Sequence, residues 1–355
     1  MAILIYGANG YTGELIAELA KSRGTEVILA GRNAAAVQEI ADSLGFEARI
    51  FSLDQPAQVD AGLAGITVVL HCAGPFVHTA GPMMDACLRL GIHYLDITGE
   101  IPVFEAAASR DSQAKQKNIM ILPGTGFDVV PTDSLAANLK AALPSATHLN
   151  LGFKTKGGLS RGTAKTAVEH MEKGGMIRED GRIRVVPNAY EVRKIDFGEG
   201  ELSAVTIPWG DVSTGFYSTG IPNIKVFLAM PPKTIANMKR GRYLGWLLGM
   251  PFVKRYLKKQ IDKRPAGPDQ NTRTSGYVLL WGEAWDDQGN HITARLKTME
   301  GYKLTSIMAL DIAEKVMAGN WKAGFQTPSN AYGKDLVFEV EGSEWLDAPA
   351  PVTAG

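Results

Sequence analysis

Over its first 125 residues the chain alternates between short β-rich runs and stretches of helical pattern. The runs are "AILIY" (2–6), "EVILAG" (26–31), "EARIFSL" (47–53), "ITVVLHC" (66–72), "HYLDIT" (93–98) and "NIMILPG" (118–124). Segments such as "GELIAELAKSRG" and "AAAVQEIADSLG" lie between them. A strand that follows a crossover helix rejoins its sheet in parallel, so strict alternation predicts a doubly wound parallel sheet of α/β class, a Rossmann-type domain over residues 1–125.

After Phe127 the texture changes. "DVVPTDSLAANLKAAL" and "GTAKTAVEHMEKGG" read as helices, while "SGYVLLWGEAW" and "HITARLKT" flank the turn "DDQGN" as a β-hairpin. A second α+β domain on a mostly antiparallel sheet is expected over 126–325, followed by a C-terminal segment, 326–355. A length of 355 residues suits two domains. No repeat of 20 to 50 residues is visible.

Charge narrows the function classes. The 37 basic and 37 acidic residues cancel, which gives no overall signature for binding nucleic acid. Their distribution is uneven: residues 231–264 hold ten bases (Lys233, Lys239, Arg240, Arg242, Lys254, Arg255, Lys258, Lys259, Lys263, Arg264) and one acid, Asp262, around the apolar run "YLGWLLGMPFV". Two readings stand for this insert, residues 224–264. It docks on an anionic membrane or covers a lipid-like substrate, or it is a solvated helix packed on its own domain or a dimer partner. No apolar run reaches the ~18 residues that span a bilayer, the N-terminus lacks signal-peptide features, and two cysteines, Cys72 and Cys87, fit a reducing cytoplasm.

The motif "GANGYTG" places Gly7, Gly10 and Gly13 between the first strand and the first helix. Three glycines at this spacing arise by accident about 0.5 times in a chain so rich in glycine, so position carries the signal. At this βα turn, glycines permit a tight bend and close backbone approach, and the helix N-terminus faces a pyrophosphate. Asn9, Tyr11 and Thr12 share the loop. The second strand ends "LAGRN": Gly31 stands where an NAD-type site carries an acid, and Arg32, with Asn33 beside it, offers a guanidinium to the 2′-phosphate of NADP. Asp54, after the third strand, is a candidate for the adenine amino group.

Ligands in open α/β sheets sit beyond the carboxyl ends of the strands. The end of the fourth strand therefore brings Ala73, Gly74, Pro75 and Phe76 to the nicotinamide half. "DITGE" and "PGTGFD" carry Asp96, Thr98, Glu100 and Asp128 toward the same crevice, where one of them supplies or relays a proton. Capping or turn formation accounts for each of them individually as well. Tyr190 and Lys194 have a Tyr-x-x-x-Lys spacing in a β-like context outside the first domain, which reads as coincidence. His71, His78 and His93 form no paired metal-ligand motif, and no metal is expected.

With "GANGYTG", "LAGRN", "HCAGPF", "HYLDITGE", "GFDVVPTD", "RGTAKTAVE", "GPDQNTR", "EGYKLTSIMAL" and "GFQTPSNAYG" in order, the chain resembles the saccharopine dehydrogenase-like reductases, nearest their trans-acting enoyl reductase branch. The resemblance implies an NAD(P)-binding Rossmann domain, an inserted α/β domain for substrate and homodimer contacts, and a final segment, "TPSNAYGKDLV", that returns to the first domain. It also implies an oxidoreductase that passes hydride to a C=C, C=O or C=N bond of an apolar substrate. The alternatives are an imine reductase acting on an amino-acid adduct, for which Arg161 is the main basic candidate, and a dinucleotide-sensing or scaffold protein without turnover.

Overall fold

Runs such as "ILIY", "VILAG" and "VVLH" are apolar at nearly every position, which suits strands covered on both faces. In the computed structural model, which describes residues 2–156, 158, 160–170, 172, 174–242 and 249–350, they are the centre of a parallel sheet. Its strands are β1 (Ile3–Tyr6), β2 (Val27–Gly31), β3 (Glu47–Ile50), β4 (Val68–His71), β5 (His93–Asp96) and β6 (Met120–Leu122). Helices α1 (Tyr11–Arg23), α2 (Ala34–Leu44), α3 (Pro56–Gly62), α4 (Phe76–Leu90), α5 (Ile101–Ala108) and α6 (Asp111–Gln116) connect them. Every residue of β1, β2, β4, β5 and β6 is buried; β3, with Glu47 and Arg49, is the half-exposed edge.

The chain then builds a second unit. Helix α7 (Val130–Ala142) leads to strands β7 (His148–Thr155), β8 (Gly175–Glu179), β9 (Arg182–Val186), β10 (Val192–Asp196), β11 (Glu201–Thr206), β12 (Asn223–Ala229), β13 (Tyr277–Trp285) and β14 (His291–Met299). Among them stand α8 (Arg161–His170), α9 (Asp211–Thr219), α10 (Pro232–Gly241), α11 (Pro251–Ile261) and α12 (Gln270–Ser275). After α13 (Gly301–Met317), β15 (Gly324–Phe325) pairs in parallel with β6, and β16 (Glu344–Asp347) pairs antiparallel with β14. The first sheet runs β15-β6-β5-β4-β1-β2-β3; the second runs β10-β11-β12-β7-β13-β14-β16, with β8 paired to β12 and β9 to β8. Its pairs are antiparallel except β12 with β7.

Two compact units result: Met1–Asp128 with Tyr302–Ala331, and Val129–Gly301 with Tyr332–Gly355. The division differs from the expected domains 1–125, 126–325 and 326–355. The chain re-enters the first unit at Tyr302 because α13 packs there: Asp311 pairs with Arg23 at 2.5 Å, Glu314 accepts from Thr25 Oγ1 at 2.5 Å, and the Tyr11 and Tyr302 rings meet edge to face at 5.1 Å. Residues from Tyr332 onward belong instead to the second unit, where Asn138 Nδ2 donates to the Lys334 carbonyl at 2.9 Å. The hairpin forms as expected, with Trp285 opposite His291. The Asp286 carboxylate accepts the Gln288 and Asn290 N–H groups, each at 3.0 Å, and closes its turn.

No helix among the described residues is long and apolar enough to cross a membrane. The apolar centre of the basic insert, Tyr243 to Leu248, lies outside the described residues.

Candidate functional site

The turn after β1 has little freedom. Gly7 takes φ +87°, and a Cβ there would stand 2.8 Å from both the nitrogen and the Cβ of Ala73, so only glycine lets the two loops close on each other. Gly7 N–H donates to the Ala30 carbonyl at 2.7 Å, and Gly10 N–H donates to the Gly7 carbonyl at 2.9 Å. A Cβ on Gly13 would lie 2.9 Å from Ala8 Cα, so α1 packs tightly on its own entry loop. Gly10 stands at the N-cap of helix α1 and offers no side-chain cap, which leaves the N-terminal dipole for an anion. Asn9 is exposed at the rim, with Tyr11 and Thr12 half-buried in the first turn.

At the end of β2, Gly31 admits Asn9: a Cβ there would lie 3.3 Å from Asn9 Oδ1. Arg32 is exposed and has neither ion pair nor hydrogen bond among the described residues. Its guanidinium and the Asp54 carboxylate both act electrostatically on the Tyr6 hydroxyl, whose pKa burial pushes up to about 12. Arg32 and Asp54 thus both lie within electrostatic reach of the Tyr6 hydroxyl. Asp54 accepts from Ser52 Oγ at 2.7 Å. Asn33 has a local task, its Oδ1 accepting the Ala36 N–H at 3.3 Å as the cap of α2. An uncapped helix start, a glycine turn that Cβ atoms would fill and an unpartnered arginine together fit a dinucleotide carrying a 2′-phosphate.

The loop after β4 meets the carboxylates. Ala73 faces Gly7, a cis bond joins Gly74 to Pro75, and Pro75 caps α4. The Glu100 carboxylate accepts the first two N–H groups of α4, from Phe76 at 2.7 Å and Val77 at 3.0 Å. An anion at a helix N-terminus is stabilised by the dipole, so Glu100 acts as an anchor for this loop. Thr98 Oγ1 in turn accepts the Glu100 N–H at 3.0 Å. Asp96 is fully buried: one oxygen accepts the Thr98 and Gly124 N–H groups at 2.9 Å each, and the other accepts the Tyr94 hydroxyl at 2.7 Å. Burial pushes its pKa up to about 6 against the pull of those donors.

Asp128 is built differently. It keeps partial solvent access and no hydrogen bond or ion pair holds it among the described residues. Burial first, and then the negative charge of Glu100, push its pKa up to about 7. Gly99 makes room for it, since a Cβ there would lie 2.7 Å from Asp128 Oδ2. Of the four acids and hydroxyls expected in this crevice, three are committed to holding backbone and one is available. The sequence contains no direct mark of that difference. The signal that could have found it is the glycine of "TGE", which clears space beside a carboxylate.

The remaining candidates separate. Arg161 opens α8 in the second unit, where its guanidinium lies 3.4 Å from the Asp262 carbonyl. Tyr190 is 48% exposed and Lys194 lies on β10, also in the second unit. His71 is a buried neutral imidazole, its pKa pulled down to about 3 by burial and its Nε2 3.0 Å from Thr79 Oγ1. Burial likewise raises the Cys72 and Cys87 thiols, which keeps them protonated. The described residues hold no cluster of ligands suited to a metal ion.

Residues 3–122, which contain this turn and most of its surroundings, match the family model described as saccharopine dehydrogenase NADP binding domain. Over these residues the chain is similar to a saccharopine dehydrogenase-type NADP-binding domain. Among curated proteins, the trans-acting enoyl reductase of Mycobacterium leprae is 34% identical over 139 residues, 37% of this chain and 33% of that protein. A Mycobacterium tuberculosis protein provisionally given the same name is 33% identical over 182 residues, 47% of this chain and 43% of that one. The chain thus spans less than half the length of these relatives. Among solved structures, saccharopine dehydrogenase (L-Glu forming) from Saccharomyces cerevisiae superposes with a TM-score of 0.68 at 11% identity, over 98% of this chain and 99% of that one. Homospermidine synthase from Legionella pneumophila does so with a TM-score of 0.60 at 11% identity, over 98% and 91%. At such identities the likeness is one of fold. The matched residues and their continuation to Asp128 contain every candidate site residue named above except Arg161.

Proposed function

We propose that the protein is an NADPH-dependent reductase in which Asp128 donates the proton that accompanies hydride transfer to a C=C bond of an apolar, enoyl-type substrate. The observation that carries this reading is Asp128 itself: a partly accessible carboxyl, held by no hydrogen bond, with a pKa near neutrality. A general acid works best when its pKa lies near the operating pH. The choice of an enoyl bond over a carbonyl or imine rests on the names of the curated relatives.

The reduced dinucleotide supplies the hydride. The residues of the chain do the rest. The turn Gly7–Gly13 and the N-terminus of α1 hold the pyrophosphate, and Arg32 pairs with the 2′-phosphate. Glu100, by gripping the start of α4, fixes the Ala73–Phe76 loop against the glycine turn. Protonated Asp128 gives its proton to the carbon next to the one that accepts hydride. The carboxylate left behind is disfavoured by burial and by Glu100, so Asp128 recovers a proton readily at neutral pH.

The test is NADPH oxidation by the full chain across enoyl thioesters, enals and imines, with Asp128→Asn as the control variant. Turnover of an enoyl substrate is expected, with kcat reduced roughly 10²- to 10⁴-fold in the variant and its NADPH affinity kept. Equal turnover by variant and wild type would remove Asp128 from the chemistry. NADPH binding without oxidation of any substrate class would favour a dinucleotide-sensing protein.

A further inference from the structure

Helix α11 presents three different faces. Val253, Leu257 and Ile261 point one way, and Ile261 and Leu257 pack with Ala164 and Val168 of α8. Lys254 and Lys258 occupy the flank, where Lys254 pairs with Glu172 at 2.6 Å and Lys258 with Glu169. The remaining face is outward and has no side-chain partner among the described residues. It carries Phe252 at 66% exposure and Tyr256 at 61%, with Arg255 and Lys259 exposed between and beyond them. At about 100° per residue these four side chains fall within a sector of about 100°.

Neither the Arg255 nor the Lys259 side chain has an ion pair or hydrogen bond among the described residues, and the same is true of the Lys263 and Arg264 side chains just past the helix end. The nearby acid, Asp262, is taken by Lys165 at 2.5 Å. Beside the helix, an open cleft of about 590 Å³ is lined by Lys165, Lys254, Arg255, Lys258 and Lys259 among others.

We infer that this face of α11 docks on the surface of an anionic lipid bilayer, with Phe252 and Tyr256 entering the interfacial layer and Arg255, Lys259, Lys263 and Arg264 meeting lipid phosphates. Phe252 and Tyr256 are not among the residues that line this cleft, and a lipid interface takes exposed aromatics of this kind from above. Unpaired cations at the same level supply the charge complementarity. The helix is 11 residues long, which suits lying in the interface and falls well short of spanning it. This inference does not rest on the reductase reading.

Co-sedimentation of the full chain with vesicles of phosphatidylcholine, with and without phosphatidylglycerol, tests it. Binding is expected only to the anionic vesicles, weakening as salt is raised. The double variant Arg255→Gln/Lys259→Gln should lose roughly fivefold in partitioning per charge removed. Phe252→Ser/Tyr256→Ser should also lose most binding, because charge alone holds a surface weakly. Thermal melting and NADPH binding confirm that each variant is folded, and their failure would be read separately from vesicle binding. Absence of binding to either vesicle, or equal binding to both, would overturn the inference. So would full retention of binding by Phe252→Ser/Tyr256→Ser, which would indicate a surface for polyanions in general, such as an acidic protein.

Discussion

Asp128 and Glu100 are neighbours with opposite obligations. Glu100 is useful as an anion because two N–H groups of α4 need an acceptor, and Asp128 is useful as an acid because nothing needs it as an anion. The difference shows in stability. With a folded-state pKa of about 7 against an ordinary value of about 3.9, the native state keeps a proton that the unfolded chain has lost, so Asp128 costs stability as pH rises between those values. Asp96, raised to about 6, adds to the same trend. Asp128→Asn is therefore expected to unfold at higher urea than wild type at pH ~8, by about 1–2 kcal/mol, with the gap closing near pH ~4. At the other end of the site, Arg32→Ala should weaken NADPH binding at least about tenfold and leave NADH binding nearly unchanged, measured by fluorescence titration. Similar losses for both cofactors would mean that Arg32 does not read the 2′-phosphate. The sequence made the glycines, Arg32 and the acids legible as a group. It did not rank the acids, since ranking depends on which carboxylate has donors within reach, and Glu100 finds its partners 23 and 24 residues earlier in the chain.

Between the elements, close approach replaces chemistry as the constraint. Gly282 on β13 faces α7, and a Cβ there would lie 2.7 Å from Leu139 and 3.1 Å from Leu135. Gly282→Val should push the helix away from the sheet and cost about 1–3 kcal/mol, read as a lowered urea midpoint with an unchanged slope. The strands of the first sheet were legible to within one or two residues at their starts because burial on both faces leaves an unbroken apolar run. Their ends were less clear: the third run extends to Leu53 in sequence, but β3 stops at Ile50. The hairpin of β13 and β14 was equally readable from its turn. The destination of α13 was not, because its pattern is that of any buried helix. What assigns it to the first unit is a set of pairings such as Arg23 with Asp311, 288 residues apart.

For the molecule as a whole, the discontinuity of the first unit is the governing fact. It needs Tyr302–Ala331 to place α13 against α1 and to cover the β6 edge with β15. A chain ending at Gly301 is expected to be largely insoluble and to bind no NADPH, as judged by soluble yield and titration. A soluble, NADPH-binding product would show that the first unit forms without Tyr302–Ala331. The two-unit organisation could be read from the change in texture after Phe127. Which unit claims the residues from Tyr302 onward could not, since partition depends on long-range packing that leaves no local pattern.

The same discontinuity has a consequence in time. β6 leaves the ribosome about 200 residues before β15, which at ~5–20 residues per second is a delay of roughly 10–40 s. Throughout that interval the nascent parallel sheet has an open edge and an unfilled helix site. The order of synthesis thus makes the cofactor-binding half, although first in sequence, unable to reach its native structure until nearly the entire chain has emerged.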